Sequence, residues 1–560
     1  MSKVVESLPK QLATDSLPKD VHRQKRPDVF TWFCVLLSTV SAMLMGYDIG
    51  IMSGAILFIQ EELHLSLFEE EVVVGSLNLF AAFGSLASGV ITNFFGRRKA
   101  LLVASTLFFV GAVVLAASVD FGLLLVGRLL TGLGVGFAMM IAPLYSAEIS
   151  PASVRGFLVS FTEVFVNVGI LLGYIIGFAF QFLSPAYNWR LMLGAGALPA
   201  ILLAVGVLVV LPESPRWLVL QGRNEEARDV LRDVVCGKNE AEAQRRLEEI
   251  MLANEEEGGD GAGCFSSGCR SLRNRNEAKR MQTSDGEHWI TSPLARMYVI
   301  AIGINFFQQA TGIDALVYYS PVVFKRAGVH GKVGKLGATV GMGVMKLAFV
   351  LVATYLLDFV GRKKLLYVSA TGIIACLTTV AVTFVLLGLN SAEGDSLIGV
   401  NEQKVPARSS VIGEAVTIAA IVAYVAFFSV GFGPISYVLT SEIFPLRHRS
   451  TAVGVSVFVN RIVSGTVSLT FLSIAKGVTP AGTFGLFAGL TAMSLLFVWM
   501  MVPETKGRTL EEITHLFARP NPAPSIHGVD AARISSCSTR IVELAPTTKE
   551  QGTASLTPSS

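Results

Sequence analysis

Asp48 stands inside Gly46-Tyr47-Asp48-Ile49-Gly50, within the apolar run from Phe30 to Phe58. That run is long enough to cross a bilayer as a helix, and an ionised carboxylate at bilayer depth costs several kcal/mol. A wet cavity, a cationic partner or a bound proton relieves that cost. The last of these is chemistry, because a carboxyl that binds and releases a proton can couple one movement to another. The bland alternative ends the helix near Gly50 and leaves Asp48 solvated at its mouth. A second group is made of amides: Asn305, Gln308 and Gln309 lie 0, 3 and 4 residues along one apolar segment, close to one helical face. Nothing for covalent chemistry accompanies them. There is no phosphate-cradling loop of the Walker type, no Cys/His metal spacing and no nucleophile elbow, and the seven histidines fall outside the apolar runs. An enzyme or a metal site is not expected.

The elements that must position these groups are membrane spans. Of 560 residues 52% are hydrophobic and 16% charged, too apolar for a soluble domain to cover itself with polar surface. Mean hydropathy is +0.58. Apolar runs predict spans near 30–50, 72–92, 100–119, 121–145, 157–182 and 190–211, then a polar stretch, then 294–320, 335–357, 364–388, 412–439, 450–474 and 482–502. The domain reading follows: an N-terminal tail 1–28, a six-helix half 29–211, a central loop 212–292 with short helices, a second half 293–503 and a tail 504–560. The polar segment before Phe30 has no cleavable-signal pattern, so the first span is expected to stay in place. Six cysteines in no paired extracellular pattern predict no structural disulfide. A net charge of +3 gives no reason to expect nucleic acid as a partner.

Orientation comes from the short loops. His22-Arg23-Gln24-Lys25-Arg26, Gly96-Arg97-Arg98-Lys99 and Gly361-Arg362-Lys363-Lys364 share one face, cytoplasmic by the positive-inside rule, whereas Glu61, Glu62, Glu69, Glu70 and Glu71 lie between spans one and two on the other. Both termini are then cytoplasmic. The halves also repeat. Asn93 to Lys99 answers Asp358 to Lys364, Glu148-Ile149-Ser150-Pro151 with Arg155 answers Glu442-Ile443-Phe444-Pro445 with Arg449, and Pro212-Glu213-Ser214 answers Pro503-Glu504-Thr505. Three matched pairs in one order imply two halves related by an axis along the membrane normal, with a binding site between them near the midplane. Breaks such as Gly431-Phe432-Gly433-Pro434 fit spans that line a cavity.

With Gly127-Arg128, Pro143-Leu144-Tyr145, Pro212-Glu213-Ser214-Pro215-Arg216-Trp217, Gln308-Gln309, Gly312-Ile313-Asp314-Ala315, Tyr318-Tyr319-Ser320-Pro321 and Pro503-Glu504-Thr505-Lys506-Gly507-Arg508, the chain resembles the sugar porter family of the major facilitator superfamily from Phe30 to Glu512. Val74 to Leu79 and Phe161 to Phe165 look like the plant polyol and monosaccharide transporters. The resemblance implies an all-α polytopic fold of twelve transmembrane helices in two six-helix halves, and a proton symporter of broad range taking linear polyols, inositol and hexoses. It places Gln308, Gln309, Asp314, Tyr318, Tyr319, Tyr437 and Asn460 around the substrate and gives Asp48 the partner Arg128.

Three positions depart from the family pattern by replacing neutral residues: Glu163, Asp314 and Arg461. Two acids and a base facing inward are costly unless paired or wet, so Arg461 is expected to pair with Asp314 or Glu163 and to grip a polyol by charge-assisted hydrogen bonds. Glu163 is also the rival of Asp48 for the proton, or, held protonated, a mimic of an amide. Arg97, Glu148, Arg155, Glu213, Arg216, Arg362, Glu442, Arg449 and Glu504 are expected to form a cytoplasmic gate of salt bridges. The expected partners are a polyol or monosaccharide, protons and the lipid bilayer, with no cofactor, in a protein working as a monomer in the plasma membrane. A passive carrier, a channel and a nutrient-sensing receptor of the same fold are the alternatives.

Overall fold

The computed structural model describes residues 29–150, 154–184, 187–235, 239–257, 293–329, 331–386, 411–444 and 446–506. The N-terminal tail, the C-terminal tail from residue 507, Cys236, Cys264, Cys269, Cys537 and the Gly/Ser/Arg-rich part of the central loop with His288 lie outside them. Among the described residues every regular element is helical. The first half holds α1 (Val29–Leu63), α2 (Leu67–Phe95), α3 (Arg97–Ala116), α4 (Phe121–Ile149), α5 (Arg155–Phe180) and a sixth span in two pieces, α6 (Asn188–Gly194) and α7 (Ala197–Val209). Short helices follow: α8 (Pro215–Leu220), α9 (Asn224–Val230) and α10 (Glu240–Glu257). Trp217, Leu218, Ala227, Leu231 and Leu247 form their own small apolar cluster.

The second half opens with a span in three pieces, α11 (Pro293–Ala310), α12 (Ile313–Tyr318) and α13 (Ser320–Arg326), bent at Gly312 with φ +86°. Then come α14 (Lys332–Val360), α15 (Arg362–Leu386), a tenth span of α16 (Val411–Val430) and α17 (Phe432–Ile443), α18 (Leu446–Gly477) and α19 (Pro480–Met501). Among the described residues eleven spans, the broken sixth and tenth each counted whole, are long and apolar enough to cross a membrane, and the seventh, bent at Gly312, completes twelve.

The first two spans are longer than their hydropathy suggests. Span one runs to Leu63 instead of ending near residue 50, so Asp48 lies mid-helix and the solvated-mouth alternative is excluded. Glu61 and Glu62 belong to its last turns and Glu69 to Glu71 to the start of α2, instead of to an open loop. A capping box explains the tight turn: Ser66 Oγ accepts from the Glu69 amide at 3.3 Å while the Glu69 carboxylate accepts from the Ser66 amide at 2.8 Å. Glu70 and Glu71 are buried.

The two halves meet along a pair of seams. In the first half α1 lies so close to α5 that a Cβ on Gly46 would stand 1.9 Å from the Val166 carbonyl oxygen. Between halves α2 packs on α18 and α5 on α14. In the repeat, span two answers span eight and span five answers span eleven, so each seam is the symmetry mate of the other.

Candidate functional site

The long first helix carries Asp48 to the centre of the first half, where α4 brings Arg128 against it. Arg128 Nη1 donates to Asp48 Oδ2 at 2.5 Å, and both side chains are buried. Nε and Nη2 of Arg128 have no hydrogen-bond partner among the described residues. A buried guanidinium held through a single nitrogen is free to swing when its carboxylate is neutralised.

The bend at Gly312 presents the amides of α11 to the seam. Gln308 Nε2 donates to the carbonyls of Phe432 and Gly433 at 3.0 and 3.2 Å, where the tenth span is broken. Asn460 Nδ2 on α18 donates to Gln308 Oε1 at 2.6 Å and to Asn305 Oδ1 at 3.3 Å, and Asn305 Nδ2 donates to Thr440 Oγ1 at 3.0 Å. With its amide turned to satisfy both neighbours, Gln309 donates to Asp314 Oδ2 at 3.0 Å and accepts from Arg461 Nη2 at 2.9 Å. Asp314 also accepts from Ser464 Oγ at 2.5 Å.

Arg461 joins these groups to the other half. Its Nη1 stands 3.6 Å from Asp314 Oδ2 and donates to Asn78 Oδ1 at 3.2 Å, while Nε donates to Asn460 Oδ1 at 2.9 Å. Of the two acids offered to it, Arg461 thus pairs with Asp314. Glu163 lies apart: Asn167 Nδ2 donates to its Oε1 at 3.1 Å, and Lys346, a residue of α14, lies within electrostatic reach of it. Tyr318 accepts from Asn78 Nδ2 at 3.3 Å through its hydroxyl. Tyr319 instead donates to the Ser468 carbonyl at 3.2 Å and stacks on Phe471, which sets it as a packing element on α18. Tyr437 is buried on α17.

At the basic end two largely buried ion pairs each join residues of one half. Arg97 grips Glu148 through Nε and Nη2 at 2.9 and 2.6 Å, and Arg362 meets Glu442 at 3.1 Å. Glu213 is a helix cap instead of an ion-pair partner: its carboxylate accepts from the backbone amides of Arg97 and Arg98, at 2.8 and 3.2 Å, at the start of α3. Glu504 does the same for Arg362 and Lys363, at 3.0 and 3.1 Å, at the start of α15. Arg449 donates to the Phe444 carbonyl, Arg216 is half-buried on α8, and Arg155 lies near enough to Glu442 for their charges to interact across the halves.

Sequence reasoning overlooked Lys346 and Asn78. Lys346 carried the same signal as Asp48, a lone charge in a long apolar run. Asn78 stood in a motif read only for its likeness, yet it touches both Tyr318 and Arg461.

The family model for sugar (and other) transporters matches residues 33–517. Polyol transporter 5 of Arabidopsis thaliana is 42% identical over 506 residues, covering 90% of this chain and 89% of that protein. The solved structure of the proton:xylose symporter XylE bound to 6-bromo-6-deoxy-D-glucose superposes with a TM-score of 0.70 at 26% identity, covering 87% of this chain and 99% of that one. A partially occluded inward-open structure of the xylose transporter XylE from E. coli gives a TM-score of 0.67 at 25% identity, with 86% and 100% covered. The twelve-span architecture is that of the major facilitator fold, and the relatives are transporters, not enzymes. This chain is an integral, multi-pass membrane protein that belongs to the sugar transporter family.

Proposed function

We propose that the chain is a proton-coupled symporter that imports polyols and monosaccharides, among them linear polyols, inositol and hexoses, by alternating access between its halves. The observation that carries this reading is the buried Asp48–Arg128 pair, set on two helices of one half and held through one guanidinium nitrogen. A proton on Asp48 cancels its charge and frees Arg128 to take other acceptors, so proton occupancy changes which arrangement of the first half is lower in energy. The amides of Asn305, Gln308, Gln309 and Asn460, together with Asp314, Arg461, Tyr318 and Tyr437, supply the donors and acceptors that a ligand made of hydroxyls requires. The names carried by the relatives, polyol transporter and proton:xylose symporter, support the substrate class and the coupling ion.

In this reading the protein works as a monomer in the plasma membrane, with its basic end and both termini in the cytoplasm, and the proton is its coupling ion with no other cofactor. The clamps at the basic end keep each half rigid while the halves rock. The test is radiotracer uptake of hexoses, linear polyols and inositol, with and without an inward pH gradient and a protonophore. Accumulation above the external concentration that the protonophore abolishes is expected. Equilibration unaffected by pH would make the protein a passive carrier.

A further inference from the structure

Lys346 is a cation deep in α14, 4% exposed, with no part in the ion pairs above. Helix register fixes where it points. A Cβ on Gly337 would meet the Phe178 ring at 3.7 Å, and one on Gly343 would meet Tyr174 at 2.8 Å and Leu171 at 3.3 Å. Moving forward along α14 therefore moves backward along α5. One turn on, Lys346 faces the stretch of α5 leading to Asn167, and its four-carbon stem carries the ammonium toward Glu163. Glu163 lies within electrostatic reach of Lys346, as do Asp314 and Arg461.

The two face each other without touching. Among the described residues, the Glu163 carboxylate accepts from Asn167 and Lys346 makes no hydrogen bond or ion pair. Gly433, at the break in the tenth span, lets the backbone come close to the Glu163 carboxylate: a Cβ there would lie 3.2 Å from Oε1. A carboxylate can only accept and an ammonium can only donate, so whatever joins them must do both. A hydroxyl does both, and two hydroxyls on neighbouring carbons reach both charges at once. Glu163 and Asp314 are balanced by Lys346 and Arg461, which suits a neutral ligand over a charged one.

We propose that Glu163, from the first half, and Lys346, from the second, clamp a vicinal diol of the substrate across the α5–α14 seam, making Lys346 a specificity-determining residue. This rests on the reading of the protein as a polyol and sugar transporter. Because the two charges belong to different halves, the diol joins the halves when it binds, and a ligand lacking either hydroxyl joins them less well.

The test compares wild type with Lys346→Met, Glu163→Gln and the double variant, using monodeoxy analogues of a transported polyol as competitors of its uptake. The double variant removes both charges together, so it guards against a single variant failing because one buried charge is left alone. In wild type, one or two adjacent deoxy positions should weaken competition by about tenfold or more, the effect of losing a hydrogen bond to a charged group. In Lys346→Met and in the double variant the parent polyol should weaken by a similar factor, and those same analogues should then compete as well as the parent. An unchanged ranking of the analogues in the double variant, or an unchanged affinity for the parent, overturns the clamp. A wild type that takes up neither polyols nor sugars removes the parent reading and the clamp with it.

Discussion

In the proposed mechanism Asp48 is the group that takes the proton and Arg128 the group that reports it. In Asp48→Asn the reporter loses its cue. Uptake should no longer rise with external acidity, and accumulation against a gradient should vanish, while exchange of labelled for unlabelled substrate persists. Because Arg128 is then left buried without its counter-charge, a stability loss of about 3–5 kcal/mol is expected, so transport is to be scaled to protein at the membrane. Accumulation that survives in Asp48→Asn would transfer the proton to Glu163. Arg461 reads differently. Arg461→Leu removes the cation from Asp314 and the donor from Asn78 and Asn460 together. Substrate affinity should fall at least tenfold, as for loss of a hydrogen bond to a charged group; an unchanged KM removes Arg461 from the site. At this scale the sequence, although Lys346 carried the signal and was passed over, disclosed most of the residue types, since a charge in an apolar run is conspicuous. It left partners open, because the choice between Glu163 and Asp314 depends on which helices face each other across the seam, and spacing within one helix carries no such information.

Each half is braced by the same device at its basic end. Gly96 turns the chain from α2 into α3 with φ +87°, and Gly361 turns it from α14 into α15 with φ +99°. Both lie under a carboxylate that caps the next helix: a Cβ on Gly96 would stand 2.3 Å from Glu213 Oε2, and one on Gly361 2.9 Å from Glu504 Oε2. Gly96→Ala therefore imposes left-handed strain of about 1–2 kcal/mol and dislodges a cap worth about 1 kcal/mol. The midpoint of thermal unfolding in detergent should drop, more for Gly96→Ala than for Gly361→Ala because the first clash is closer. Equal stability to wild type in both would show that the caps contribute nothing. The paired motifs were legible as a repeat, and so was the existence of every span. Their mechanical role was hidden, because a Glu following a Pro gives no sign whether its oxygens will meet a guanidinium or a row of backbone amides. Helix ends were hidden for a similar reason. Hydropathy falls at Glu61 and Glu69, yet the capping box at Ser66 keeps both within helices.

Across the whole molecule, the α2–α18 seam is fastened along its length. Asn93 Oδ1 accepts from Ser450 Oγ at 3.1 Å at the basic end, Ser85 Oγ reaches the Gly454 carbonyl at 3.4 Å further in, and at the acidic end Glu71 accepts from the Ser473 amide at 2.8 Å and from its hydroxyl at 2.6 Å. Glu61 and Lys332 add an exposed pair between α1 and α14 at 2.8 Å, which solvent screens heavily. At the acidic end the Glu71 contact is both charged and largely buried, as the Arg461–Asn78 contact is further in, so it weighs most there in the balance between states open at one end and at the other. A shift in that balance equals the difference in free energy that a contact contributes to the two states. Glu71→Ala removes hydrogen bonds to a charged group, about 1.5–3 kcal/mol, and should move the equilibrium at least tenfold toward opening at the acidic end. A cysteine placed at Val74, buried one turn along the same face of α2 in a cysteine-free background, measures this directly. An impermeant maleimide added from the acidic side should label it about ten times faster when Glu71 is replaced, and saturating substrate should slow the reaction by favouring the closed seam. Equal labelling rates with and without Glu71 would show that the acidic end is held by apolar packing of α2 on α18, and that the charge placed there by the sequence serves only to shape the turn.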